Sequence, residues 1–416
     1  VNTIRFGLFL IQIIEMSNII LFDAEVRTNL LPLTFARPVA DLRVGILTIR
    51  EKWERQLDMP ASFLTQDYLQ DQFPLKSGEL NLLINGSILP TAEIVALILD
   101  LNIGQAYMKD GELVAACLSQ ESVLSLKNDD EMGQVEAFDI GDLKLLKITQ
   151  PADVFTLNGL AIREDFLLLT AARQSAPLPA SNTLIGPPDR LFIEEGVSIE
   201  ACILNVQNGP IYLGKDSLFL EGSMVRGPFC AGDKSVVKMG TKIYGGTTLG
   251  PGVKVGGEIN NVVFQANSNK GHDGFLGNAA IGEWCNIGAD TNASNMKNDY
   301  GDVKVWSYAA GRRVSSGLQF HGLIMGDHSK VGINTMFNTG TVVGFSANVF
   351  GAGFQPVFIP SFSWGGVDRM ISYRVDKAIA TADRMMQRRG RELTESDKVI
   401  FEHIFNESAE LRKKKH

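Results

Sequence analysis

The sequence predicts two folds in series: an α/β domain, then a parallel β-helix of six-residue repeats, closed by a short helical tail. Three observations predict it. Short apolar runs alternate with helical patterns from Ser17 to about Ala180. A period of six replaces that alternation after residue 186, and helical spacing returns after Gly366.

Length and composition agree. A chain of 416 residues exceeds what one hydrophobic core serves, so two or three domains are expected. With 45% hydrophobic and 21% charged residues it reads as an ordinary globular protein. The net charge of −8 argues against a nucleic-acid surface, although a few local Arg or Lys residues suffice for a phosphate. Cys117, Cys202, Cys230 and Cys285 form no CxxC pair and no metal-ligand spacing with histidine, so reduced thiols and a cytoplasmic location are expected. Phe6 to Ile14, after Arg5, faintly resembles a leader. It is too short to span a membrane and no cleavage site follows. Residues 1–16 therefore read as an extension before a natural start at Met16, and no membrane partner is expected.

In the first domain, set at residues 17–185, Ile19–Phe22, Asn81–Asn85 and Lys144–Ile148 read as buried strands. Residues 46–57 and 91–101 read as helices, the second with Thr91 as cap. The alternation predicts a parallel or mixed sheet. Ala176-Pro-Leu-Pro-Ala180 and Gly186-Pro-Pro188 punctuate the chain before the next domain, set at 186–366.

There, every sixth residue from Leu213 is Leu213, Phe219, Val225, Ala231, Val237, Ile243, Leu249 and Val255. Small or β-branched residues such as Ser217, Ser223, Ser235, Thr241 and Thr247 come four positions later. Six residues make one flat strand and a corner, and three strands close a coil of a triangular prism. The first residue of each hexad points inward and stacks on its counterpart one coil away. The pattern returns at Ile281 and Ile287, and again through Met325, Val331, Phe337, Val343 and Val349. One continuous β-helix from about Leu191 to Phe354 is expected. Breaks at 260–274 and 292–320 read as insertions, which in solenoids often carry function. In the tail, set at 367–416, residues 376–389 and 394–411 read as helices. The second opens on the capping box Thr394-Glu-Ser-Asp397, and Lys413-Lys-Lys415 reads as a solvated helix end.

Phe22-Asp23, the run Arg27 to Pro38 and the run Ala40 to Trp53, placed ahead of a hexapeptide repeat, carry a resemblance over roughly residues 17–366. The chain resembles bifunctional N-acetylglucosamine-1-phosphate uridyltransferase/glucosamine-1-phosphate N-acetyltransferases, in a divergent bacterial branch of sugar-nucleotidyltransferase/acetyltransferase proteins. The resemblance implies a nucleotidyltransferase-like first domain, a left-handed β-helix and a homotrimer with active sites between neighbours. It also implies acetyl-CoA as co-substrate and an amino-sugar phosphate as acceptor. Gly271-His272, Leu276-Gly277, Ile281-Gly282 and Asn286-Ile-Gly-Ala289 are similar to the segment carrying the family's catalytic histidine. It implies His272 as general base, Asn286 and Asn295 as substrate ligands, and Gly288 and Ala289 beside the acyl group. Lys242 falls where the family holds a phosphate, and Glu258 near a sugar-contacting glutamate. Asn260, Asn261 and Phe275 replace two lysines and a tyrosine of the family, so the acceptor sugar is open.

The first half departs further. The family's glycine-rich phosphate loop is Phe22-Asp-Ala-Glu-Val-Arg27 here, and its magnesium aspartate falls at Ser87. A hydroxyl is a poor ligand for magnesium, so impaired nucleotidyl transfer is expected. Arg27, Arg37 and Asn158 are expected to line one sugar-phosphate pocket, because arginine suits bidentate phosphate recognition.

Two other readings stay open at this stage. A trimeric β-helix enzyme hydrating carbon dioxide would need zinc on three histidines, with His272, His321 and His328 as the available set. The seven-residue step from His321 to His328 does not match that family's spacing, and both otherwise read as surface or interface residues. A non-catalytic sugar-nucleotide sensor fits the lost loop, while the Gly-His and Asn-Ile-Gly-Ala segments speak for catalysis.

Overall fold

The computed structural model describes residues 17–128 and 134–413. The extension at 1–16, Lys414-Lys415 and His416 lie outside the described residues. The chain divides into two compact units. The first holds the chain as far as Arg27, with 37–42 and 47–149; the second holds 28–36, 43–46 and everything from Gln150.

In the first unit, apolar Ser17–Phe22 forms a parallel pair with Ala61–Leu64 on one side and Leu80–Asn85 on the other. Antiparallel Glu112–Ser119 and Gln105–Lys109, then parallel Glu136–Asp139, complete a six-stranded mixed sheet. Helix Ile49–Leu57 begins later than its apolar pattern suggests because Thr48 and Glu51 form a capping box. Its Trp53 is fully buried, and the indole N–H donates to the Ile88 carbonyl at 2.9 Å. Helix Ala92–Leu99 starts at the expected Thr91 cap. Residues 144–148 are not a strand: they make one isolated bridge, Lys147 to Ile88.

The second unit is the parallel β-helix. All eight expected stacking residues, Leu213 to Val255, are at most 2% exposed. Burying a large aliphatic side chain contributes roughly 1.5–3 kcal/mol, so these interior stacks stabilise the unit. The small residues cap corners from inside. In the four-residue corners between the second and third faces, Ser223, Thr241 and Thr335 hydroxyls donate to the carbonyls of Leu220, Lys238 and Gly332. Short helices Asp153–Thr156 and Asn158–Thr170 also belong to this unit. The Asn158 amide ties them in: Oδ1 accepts from Gly45 N and Thr248 Oγ1, and Nδ2 donates to Gly246 O.

The two breaks differ in kind. The first is not an insertion. Interior positions Val237 and Val255 pair one coil apart and differ by eighteen in the numbering, whereas Val255 and its partner Lys270 differ by fifteen. Two corners have shrunk: Gly256-Gly257 spans a corner that takes four residues elsewhere, and Asn261 alone turns the next. The second break is a true insertion carrying the antiparallel hairpin Lys304–Ser307 and Arg312–Ser315.

The tail forms helices Val375–Gln387, Glu395–Glu407 and Ala409–Lys413. Thr394 and Asp397 make the expected capping box, and the long second helix divides at Ser408. Phe401 packs against His328, Phe345 and Phe362, and the Arg389 guanidinium donates to Gly252 O and Asn269 Oδ1. These contacts lay the tail on one face of the prism.

Candidate functional site

The shrunken corner creates the site. Gly256-Gly257 leaves a notch in the prism edge. Lys238 and Met239 stand on one side, and His272, Asp273, Ala289 and Asp290 on the other. The cleft is open and shallow, about 510 Å³. Gly257 is required there: at φ +79° it permits the turn, and a Cβ would stand 3.0 Å from Asp273 Cα. His272 and Asp273 are exposed. An imidazole in a polar cleft can accept a proton from an amine or hydroxyl held beside it.

The backbone of this corner is unlike its neighbours. In the corners before and after, the third residue has positive φ: Gly222, Gly240, Asp290 and Asn334. At 271–274 the positive φ moves to the fourth residue, Gly274 at +115°. A side chain cannot be placed there, since a Cβ would sit 2.2 Å from Thr291 O. No hydroxyl therefore caps this corner. Lys270 does so instead: it is 1% exposed and its Nζ donates to His272 O at 2.8 Å and Asp273 O at 3.1 Å. Burial pushes its ammonium down to about 8, against the opposing pull of Asp273 and Asp290. Sequence reasoning missed Lys270, because counting by six never lands on it.

The residues implied by the resemblance fall in distinct places. Gly288 and Ala289 occupy the corner after His272. The Gly288 N–H is committed to Val331 O, so it cannot serve an oxyanion as folded. The Ala289 N–H has no acceptor among the described residues. Glu258 pairs in register with Lys242 and Phe275 on the face that follows the corner, with Lys242 Nζ 3.8 Å from its carboxylate. Lys242 also lines a second hollow with Arg226, Met224 and Tyr244. Asn295 lies over that same face, Nδ2 donating to Asn278 Oδ1 at 2.8 Å. Asn286 is on the preceding face, in register between Asn269 and Lys330. His272 thus stands at the edge where the two faces meet.

His321 and His328 do not join it. His321 is 1% exposed against Phe155, and burial lowers its basicity; His328 packs among Trp284, Phe345 and Phe401. Among the described residues no three His, Cys, Asp or Glu side chains converge as a metal site.

In the first unit, the loop after Ser17–Phe22 is built around Asp23. Its carboxylate accepts from Val39 N and Thr65 Oγ1 and pairs with Arg27 at 3.3 Å; burial pushes it up from the ordinary carboxylate value. Arg27 is 8% exposed and also donates to Tyr68 Oη at 2.7 Å; Arg37 is buried too. Asn158 belongs to the other unit, where it is fully buried and spends its amide on Gly45, Thr248 and Gly246. Ser87 is buried with its hydroxyl donated to Asn85 Oδ1 at 2.7 Å. A buried hydroxyl so engaged does not fit magnesium, so no step is routed through that ion.

Comparison with known proteins agrees with the resemblance. The sugar nucleotidyl transferase family matches residues 19–174. A bifunctional sugar-1-phosphate nucleotidylyltransferase/acetyltransferase of Sulfurisphaera tokodaii is 32% identical over 93 residues, 22% of this chain and 23% of that protein. The bifunctional protein GlmU of Methanocaldococcus jannaschii is 36% identical over 87 residues, 21% of each chain. An uncharacterized acetyltransferase, YaiX, of Escherichia coli O6:K15:H31 is 24% identical over 153 residues, 36% of this chain and 66% of that protein. The matched stretches thus span under a quarter of the first two relatives. No described helix is long and apolar enough to cross a membrane.

Proposed function

We propose that the β-helix is an acyl-CoA-dependent N-acetyltransferase acting on an amino-sugar phosphate, with His272 as general base. One observation carries the reading: an exposed histidine and an unengaged backbone N–H, that of Ala289, border one cleft at the prism edge. The acceptor amine attacks the thioester carbonyl, forming the C–N bond. His272 takes the amine proton as that bond forms. The carbonyl oxygen becomes an oxyanion, stabilised by the Ala289 N–H. The C–S bond then breaks, and the proton passes from His272 to the departing coenzyme A sulfur. Lys242 and Glu258 bind the acceptor's phosphate and sugar, with Asn295 on the same face and Asn286 across the edge. A homotrimer would lay a neighbour's face against this edge and deepen a cleft that is shallow in one chain.

A second reading applies to the first unit alone. The engaged Ser87 hydroxyl favours a sugar-nucleotide-binding module with impaired transfer over an efficient nucleotidyltransferase.

The test is thiol release from acetyl-CoA across a panel of amino-sugar phosphates that includes glucosamine 1-phosphate. His272→Ala is expected to lower kcat by roughly 10²–10⁴ with an unchanged melting temperature. Wild-type turnover in that variant would remove the assignment. Silence of the wild type across the panel would move the binding-module reading to the whole chain.

A further inference from the structure

Lys270 occupies a position that apolar side chains, Ile199, Phe219, Val237 and Val255, fill in the preceding coils. It pairs in register with Val255, in the interior column that continues to Ile287 one coil on. A lysine is rarely buried at all, and burying its charge opposes folding unless hydrogen bonds offset the lost hydration. Here those bonds go to two carbonyls of one corner, His272 O and Asp273 O. Asp273 O is shared with the Asp290 N–H at 3.0 Å, which links this corner to the one bearing Ala289.

Comparison between corners gives the arrangement its meaning. Where a corner carries no candidate chemistry, a neutral Ser223, Thr241 or Thr335 hydroxyl caps its first carbonyl. At the His272 corner the second and third carbonyls are drawn to a cation and positive φ sits on the fourth residue, Gly274, whereas Lys330 Nζ donates to Trp284 O and His328 O at corners that keep positive φ on the third residue.

We infer that Lys270 is a positioning residue: from inside the prism its ammonium holds the His272–Asp273 corner in the one backbone conformation that presents the imidazole to the notch. This rests on the reading of His272 as the general base. A displacement of about 1 Å in a catalytic group is enough to cost about 10²-fold in rate.

The experiment uses the full-length protein with Lys270→Met, which keeps the stem without donors, and Lys270→Gln, which restores N–H donors on a shorter stem. Two readouts are taken. With acetyl-CoA and glucosamine 1-phosphate, Lys270→Met is expected to lower kcat about 10–100-fold with KM for acetyl-CoA within about twofold, and Lys270→Gln to recover part of the loss. The second readout needs no turnover: the ¹H–¹³C imidazole resonance of His272, identified by its loss in His272→Ala, should shift or broaden in Lys270→Met. Unchanged kcat and an unchanged His272 resonance beside a lowered melting temperature would overturn the inference. Loss of the fold in both variants would overturn it too, assigning Lys270 to stability. If the wild type turns nothing over, the general-base reading fails, while the resonance still decides whether Lys270 sets the corner.

Discussion

Asn295 lies directly over Gly277: a Cβ on that glycine would stand 2.6 Å from Asn295 Nδ2 and 2.7 Å from the Phe275 ring. Absence of one methyl group is what brings the asparagine onto the face that bears Glu258 and Phe275. Gly277→Ala should push Asn295 aside and raise KM for the sugar acceptor about tenfold, the equivalent of roughly one lost hydrogen bond, with little change in kcat. Steady-state kinetics at saturating acetyl-CoA checks this, and an unchanged KM would take Asn295 out of the acceptor site.

Asn158 gives the opposite expectation. Its amide satisfies Gly45 N, Thr248 Oγ1 and Gly246 O in a fully buried place. Asn158→Ala should destabilise the protein by about 2–4 kcal/mol, because several buried groups lose partners together. Urea denaturation measures it. Nucleotide binding by the folded fraction should not change.

Lys270 makes stability depend on pH with a definite sign. Its folded value of about 8 lies below the ordinary 10.5, so between those pH values the unfolded chain holds a proton that the folded chain releases. Stability from this group therefore rises with pH across that window and is lost as pH falls through 8. Asp273 and Asp290 oppose the shift without cancelling it. Denaturant midpoints at pH 8 and pH 10 should converge in Lys270→Met relative to wild type, by up to about 3 kcal/mol. Parallel pH profiles for the two proteins would show that the lysine keeps its ordinary basicity.

Apolar residues stand outward on the face that bears Lys242 and Glu258: Ile203 and Met224 are 40% and 43% exposed in one stack. If this face meets a neighbouring copy, light scattering should give three chain masses, and Met224→Glu should shift the mass toward one. A wild-type monomer at micromolar concentration would reject the trimer and leave the cleft to a single chain.

Much of this was legible beforehand, and the rest was hidden for identifiable reasons. The hexad column from Leu213 to Val255 is readable because interior stacking repeats the same demand at every coil. Thr91 and Thr394 announced their helices through capping chemistry local to a few residues. His272 stood out through its neighbours Gly271 and Asp273. Lys270 did not, because its interior role depends on two shortened corners that pattern counting takes for an inserted loop. The partners of Asn158 were hidden for a related reason: the chain brings Gly45 and Gly246 to it from far away in sequence. Residues 144–148 have the apolar make-up of a strand but no partner segment to pair with beyond Ile88.

The fifteen-residue coil bears on how such a protein can change. A solenoid is usually diversified by looping out extra chain, which adds a mobile appendage and leaves the scaffold as it was. Here the same end is reached by subtraction, with residues removed from two bends while every ladder across them stays paired. What results is a recess with rigid walls, set in the scaffold itself. Restoring the missing residues to the Gly256-Gly257 bend would fill the recess and press on the His272 corner, since even a Cβ on Gly256 would meet Gly271 O at 2.9 Å and His272 N at 3.2 Å. The recess and the group it exposes are thus set by one and the same bend.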